Sequence, residues 1–113
     1  MARTLAVSSN RRDYRPGAVC PDCGRRHRTW RAVATCRWRD GLVWVAGEPP
    51  ASQPCFAVVS FCPSGTTVTL WADRQEAEKR KGLIDRLACG GRCLGPPGHC
   101  LYVMAGRGEY VDR

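Results

Sequence analysis

The sequence predicts a small single-domain α+β protein, and three observations carry that expectation. Short runs of alternating or β-branched apolar residues recur between turns rich in glycine, proline and aspartate. One segment, residues 73–88, spaces its apolar residues for a helix. The eight cysteines of the 113-residue chain fall mostly at the ends of these runs, not in their middles. The expected architecture is one helix in the C-terminal half covering a mainly antiparallel sheet of about four to five strands, with cysteine-bearing turns at the element ends.

Taken in order, residues 1–17 read as a basic N-terminal arm with a short extended piece at 4–7, and the folded domain spans 18–105. Residues 29–38, TWRAVATCRW, put Trp30, Ala32, Ala34, Cys36 and Trp38 on one face and Arg31, Val33, Thr35 and Arg37 on the other, which is strand periodicity. Asp40-Gly41 then reads as a hairpin turn, because glycine tolerates the positive φ such turns need, and LVWVA (42–46) as the return strand. The prolines of GEPPASQP (47–54) cannot donate to a ladder, so this stretch is a loop. CFAVVSF (55–61) and TTVTLW (66–71) are strands joined by the turn at 62–65.

The helix over 73–88 begins at Asp73, a good N-cap, with Glu76 in the capping-box position. Ala77, Leu83, Ile84, Leu87 and Ala88 supply its apolar stripe. Gly90 and Gly91 end it, LGPPGHC (94–100) is a loop, LYVMA (101–105) is a last strand, and 106–113 is a polar tail. The helix and final strand fit a βαβ crossover from strand 66–71.

A chain this short buries only about 65% of its unfolded surface, so an added cross-link would matter to its stability. The first twelve residues lack the apolar core of a secretory leader, and no run approaches the ~18–20 apolar residues of a membrane span. The expected compartment is therefore the cytoplasm, where thiols stay reduced and short cysteine spacings point to metal.

CPDCG, Cys20 to Gly24, places two thiols two residues apart ahead of a glycine. A tight turn of that form chelates one ion while its amides point at the sulfurs. It resembles the knuckle of zinc ribbons and treble-clef fingers, over these five residues only. The remaining donors nearest in sequence are His27 and Cys36. A second cluster, CGGRCLGPPGHC, offers Cys89, Cys93, His99 and Cys100 within twelve residues, with Cys62 as a candidate fourth ligand. Adjacent His99 and Cys100 point to opposite sides of a strand and would not share an ion. One or two Zn²⁺ ions are expected. Two partitions stay open: one ion per cluster, or Cys20 and Cys23 joined by Cys89 and Cys93 around a single ion. The competing readings are a disulfide scaffold, if the chain is exported, and buried apolar thiols, which fits Cys55 at the start of an apolar strand.

The net charge is +8, and 16 of the 18 basic residues are arginine. Residues 1–40 hold ten arginines against Asp13, Asp22 and Asp40, whereas 41–113 are nearly balanced. Arg11, Arg12, Arg15, Arg25, Arg26, Arg28, Arg31, Arg37 and Arg39 mix with Tyr14, Trp30 and Trp38. Guanidinium groups pair with phosphates and aromatic faces stack on bases, so nucleic acid, DNA or RNA, is the expected partner. The alternative is an adapter or regulator docking on an acidic surface of a larger complex. Catalysis is not expected. The deaminase pattern His-x-Glu with Pro-Cys-x-x-Cys is absent, and cysteine-rich sites usually close the metal's coordination.

Overall fold

The computed structural model describes residues 6–7, 14–87, 98–104 and 109–112. They form β1 (Ala6–Val7), α1 (Trp30–Arg37), β2 (Leu42–Ala46), β3 (Cys55–Cys62), β4 (Gly65–Trp71), α2 (Arg74–Leu87), β5 (His99–Met104) and β6 (Glu109–Asp112). The strands make one six-stranded sheet in the order β1-β6-β5-β3-β4-β2. Every neighbouring pair is antiparallel except β2 with β4, which is parallel. The class is α+β, as expected, but with a helix on each face of the sheet.

α1 is the main departure from the sequence reading, which made residues 29–38 a strand. Trp30, Val33, Ala34 and Trp38 are all buried, which is helical spacing. Trp30, Ala34 and Trp38 satisfy both periods; Val33 decides between them. Thr29 caps the helix, its Oγ1 accepting from Ala32 N at 3.1 Å. Since Trp30–Arg37 is helical, Asp40-Gly41 joins a helix to a strand and no hairpin forms. β2 leaves in parallel beside β4, and Gly41 takes its positive φ of 72° with its carbonyl accepting from Thr66 N.

α2 forms where expected. Asp73 accepts from Gln75 N through Oδ1 at 2.8 Å. The chain crosses from β4 over β3 to β5 by way of α2, so the crossover reading holds. Within α2, Ala77 and Ile84 are buried and Lys81 lays its stem between them, with Nζ on Asp85 at 2.9 Å. Leu83 is exposed and does not join the stripe. Residues 109–112, in the stretch read as a tail, form β6 and pair with both β5 and β1.

The strand alternation splits the core. Cys55, Ala57 and Val59 of β3, Val68 and Leu70 of β4, and Cys100, Tyr102 and Met104 of β5 face α1. Val58 and Leu101 face α2, flanked by Phe56 and Trp71. Trp30 Nε1 donates to the carbonyls of Pro50 and Gln53 at 3.1 and 3.0 Å, pinning the proline loop onto α1. Arg37 lies over the Tyr14 ring at 4.4 Å and near Trp38 and Tyr102 at 5.5 and 5.8 Å, so the end of α1 is held by an aromatic cage. Among the described residues no helix is long and apolar enough to cross a membrane.

Candidate metal centre

The knuckle is built by its own backbone. Val19 and Arg26 form an antiparallel bridge. Cys20 N donates to Arg25 O at 2.8 Å and Gly24 N to Cys20 O at 2.9 Å. Gly24 has φ of 76°, which a side chain would make costly. The turn is fastened twice from outside. Tyr14 OH donates to Asp22 Oδ1 at 2.8 Å, and Gly17 N donates to His27 O at 2.8 Å. Thr29 then starts α1 two residues after His27, and the helix carries Cys36 back over the turn.

The result brings Cys20, Cys23, His27 and Cys36 together, with all four donor atoms within 4.8 Å of one another. Zinc bonds of about 2.3 Å to sulfur and about 2.0–2.1 Å to nitrogen give tetrahedral edges of about 3.8 Å between sulfurs and about 3.5–3.6 Å from sulfur to nitrogen. Cys20 Sγ lies 3.8 Å from Cys36 Sγ, and Cys23 Sγ lies 3.5 Å from His27 Nε2. Two opposite edges of a tetrahedron therefore have the lengths a single ion requires. These four residues could coordinate one metal ion.

The Cys23 and Cys36 thiols shift in opposite directions. The backbone N–H of Arg25 pulls the Cys23 thiol below its ordinary value, as an amide aimed at a thiolate does. Burial pushes Cys36 up to about 11, and hydrogen bonds with Cys23 and Cys20 push the same way. A divalent cation held here would offset the cost of ionising Cys36 by binding its sulfur as a thiolate.

Cys20 and Cys23 lie in a donor set completed by His27 and Cys36, which could hold one ion without residues of the second cluster. Cys89 and Cys93 lie outside the described residues, as do Arg11 and Arg12. Cys62 Sγ faces His99 Nε2 at 4.0 Å on the α2 side. Cys100, also expected as a donor, points the other way and lies fully buried in the core beneath α1, so His99 and Cys100 do diverge. Cys55 is buried at zero exposure, an apolar thiol as its sequence context indicated.

The arginines divide. Arg15, Arg25, Arg28 and Arg31 are exposed. Arg26 and Arg39 are exposed as well, Arg26 donating to Gly17 O at 2.6 Å and Arg39 to Cys36 O at 2.9 Å, whereas Arg37 sits in its aromatic cage. Tyr14, Trp30 and Trp38 are 4%, 2% and 5% exposed, which removes them as stacking platforms for bases. Sequence reasoning did not single out Asp85, whose Oδ1 lies 2.8 Å from His99 Nδ1. Nothing in the local sequence signals that contact, because it forms only when α2 packs on the start of β5. No family model, curated protein or solved structure matches this chain.

Proposed function

We propose that this chain is a non-enzymatic zinc-binding protein that grips the phosphate backbone of nucleic acid through arginines displayed on its knuckle. The observation that carries the reading is the Cys20–Cys23–His27–Cys36 donor set, whose edges fit a zinc tetrahedron. Three thiolates and one imidazole fill all four positions, leaving no open site for a reacting water. That favours a structural ion and a binding role.

The ion would fix the turn on which Arg25 and Arg28 stand, and the helix whose first turn carries Arg31. All three are exposed, and that first turn holds no acidic residue to neutralise them. A shallow groove beside the knuckle is lined by Pro16, Gly17, Arg26, His27, Arg28 and Ser52. Backbone contact needs only such positive, rigidly held groups; it needs no aromatic stacking.

Fluorescence anisotropy with duplex DNA and with single-stranded RNA over a salt series tests this. Replacing Arg25, Arg28 and Arg31 with alanine should weaken binding and lower the log–log salt slope by about one unit for each arginine that meets a phosphate. An unchanged slope contradicts the assignment.

A second reading rests on β2. It is an edge strand, and its Val43 and Trp44 are exposed at 59% and 42%. Such an edge suits a protein partner that adds a strand. Trp44→Ser, which changes no charge, separates the two readings. It should leave nucleic-acid affinity intact on the first, and abolish nuclease-resistant recovery of a protein partner on the second.

A further inference from the structure

Asp85, His99 and Cys62 form a line on the side of the sheet opposite α1. β3 and β5 are paired here with Ser60 opposite His99, and Phe61 N donates to Gly98 O at 2.8 Å. That register sets the last residue of β3, Cys62, beside the first residue of β5. By strand alternation both side chains face α2, the face of Val58 and Leu101. From α2, Asp85 reaches His99 Nδ1 at 2.8 Å while also holding Lys81 at 2.9 Å. The His99 side chain is only 6% exposed, so its orientation is set by packing as well as by the carboxylate.

A histidine that gives its Nδ1 proton to a carboxylate keeps the Nε2 lone pair for something else. Here Nε2 faces Cys62 Sγ at 4.0 Å, about half an ångström beyond the sulfur–nitrogen edge of a zinc tetrahedron. A carboxylate behind the imidazole, with a thiol before it, is the arrangement in which metal-binding histidines are held.

We propose that Cys62 and His99 are ligands of a second metal ion, with Asp85 as the positioning residue that fixes the imidazole. The ion would join the end of β3 to the start of β5 under α2, as the first joins the knuckle to α1. The proposal rests on these three residues. Cys62 and His99 would supply two of the ion's positions, one soft thiolate and one imidazole. The ion class is a thiophilic divalent cation, zinc in the first instance.

The same three side chains in line are also the layout of a thiol nucleophile with its base, so the test must separate the two. It is made on the full chain purified without added metal, with zinc per chain read by elemental mass spectrometry. Wild type should hold two ions, and Cys62→Ser and Cys23→Ser one each. If wild type holds one ion and Cys62→Ser keeps it, the second site is overturned and the first stands. If Cys23→Ser keeps both ions, the first centre fails and the second is untouched.

Asp85→Asn is the milder variant should Cys62→Ser not fold. In cobalt titrations it should weaken one of two sites by about 10- to 100-fold and leave the other unchanged. Affinities at both sites unchanged from wild type overturn the role of Asp85. Iodoacetamide gives the last readout. Cys62 should be protected in zinc-loaded protein and exposed by chelator. Rapid alkylation of Cys62 with zinc bound contradicts ligation and favours the nucleophile.

Discussion

Cys55 has zero exposure at the start of β3, and burial pushes its thiol up to about 12. An unfolded thiol titrates near 8.5. Between those values the unfolded chain releases a proton that the folded chain keeps. The contribution is therefore intact below about pH 8.5 and is lost as pH climbs toward 12. Cys55→Ala should flatten the alkaline decline of stability in denaturant titrations from pH 8 to 10.5, and an unchanged decline refutes this. The folded protein should also leave Cys55 unalkylated at pH 8. At Thr29, removal of the capping oxygen by Thr29→Ala should cost about 1 kcal/mol in urea unfolding. The first donor set was legible residue by residue because Cys20, Cys23, His27 and Cys36 are close in sequence, and one turn and one helix suffice to gather them. Asp85 was not legible, since its partner His99 lies 14 positions away and meets it only through tertiary packing.

At the scale of elements, α1 shows where pattern reading runs out. Trp30, Ala34 and Trp38 suit period two and period 3.6 alike, and eight residues are too few to separate them by apolar residues alone. The cap at Thr29 was the available discriminator, because a threonine oxygen three residues ahead of an amide is a helix-start signal. Reading α1 as a strand then forced an antiparallel partner on β2, whose true neighbour, β4, is parallel and lies beyond a loop and a further strand. α2, β3, β4 and the crossover to β5 were legible because their caps and β-branched runs agree with their periods. Gly65 has φ of 137°, and a Cβ there would run into the Val43 side chain. Gly65→Ala should therefore destabilise the protein by about 1–3 kcal/mol, loosening β2 first. Hydrogen exchange should show that loss at β2 before β3 and β5. Leu101→Ala, under α2 at zero exposure, should cost about 2–5 kcal/mol.

Over the whole molecule, the described residues form a sheet with a helix on each face and a knuckle bound to one of them. Tyr14, Arg37, Trp38 and Tyr102 connect the knuckle side of α1 to the sheet, with Trp38 and Tyr102 edge to face at 5.1 Å. A metal at Cys20, Cys23, His27 and Cys36 would thus be felt through the core beneath α1, and its loss should lower the melting temperature of the entire domain. Arg25 and Arg28 stand on the knuckle and Arg31 on α1, so on the proposed reading removal of the ion should weaken nucleic-acid binding even with these arginines in place. The most direct test is zinc content, read by elemental mass spectrometry, of wild type and the Cys23→Ser, His27→Ala double variant, each purified without added metal. The double variant should hold one zinc fewer per chain and melt lower. Equal metal content in the two proteins would contradict the centre on which the whole account rests.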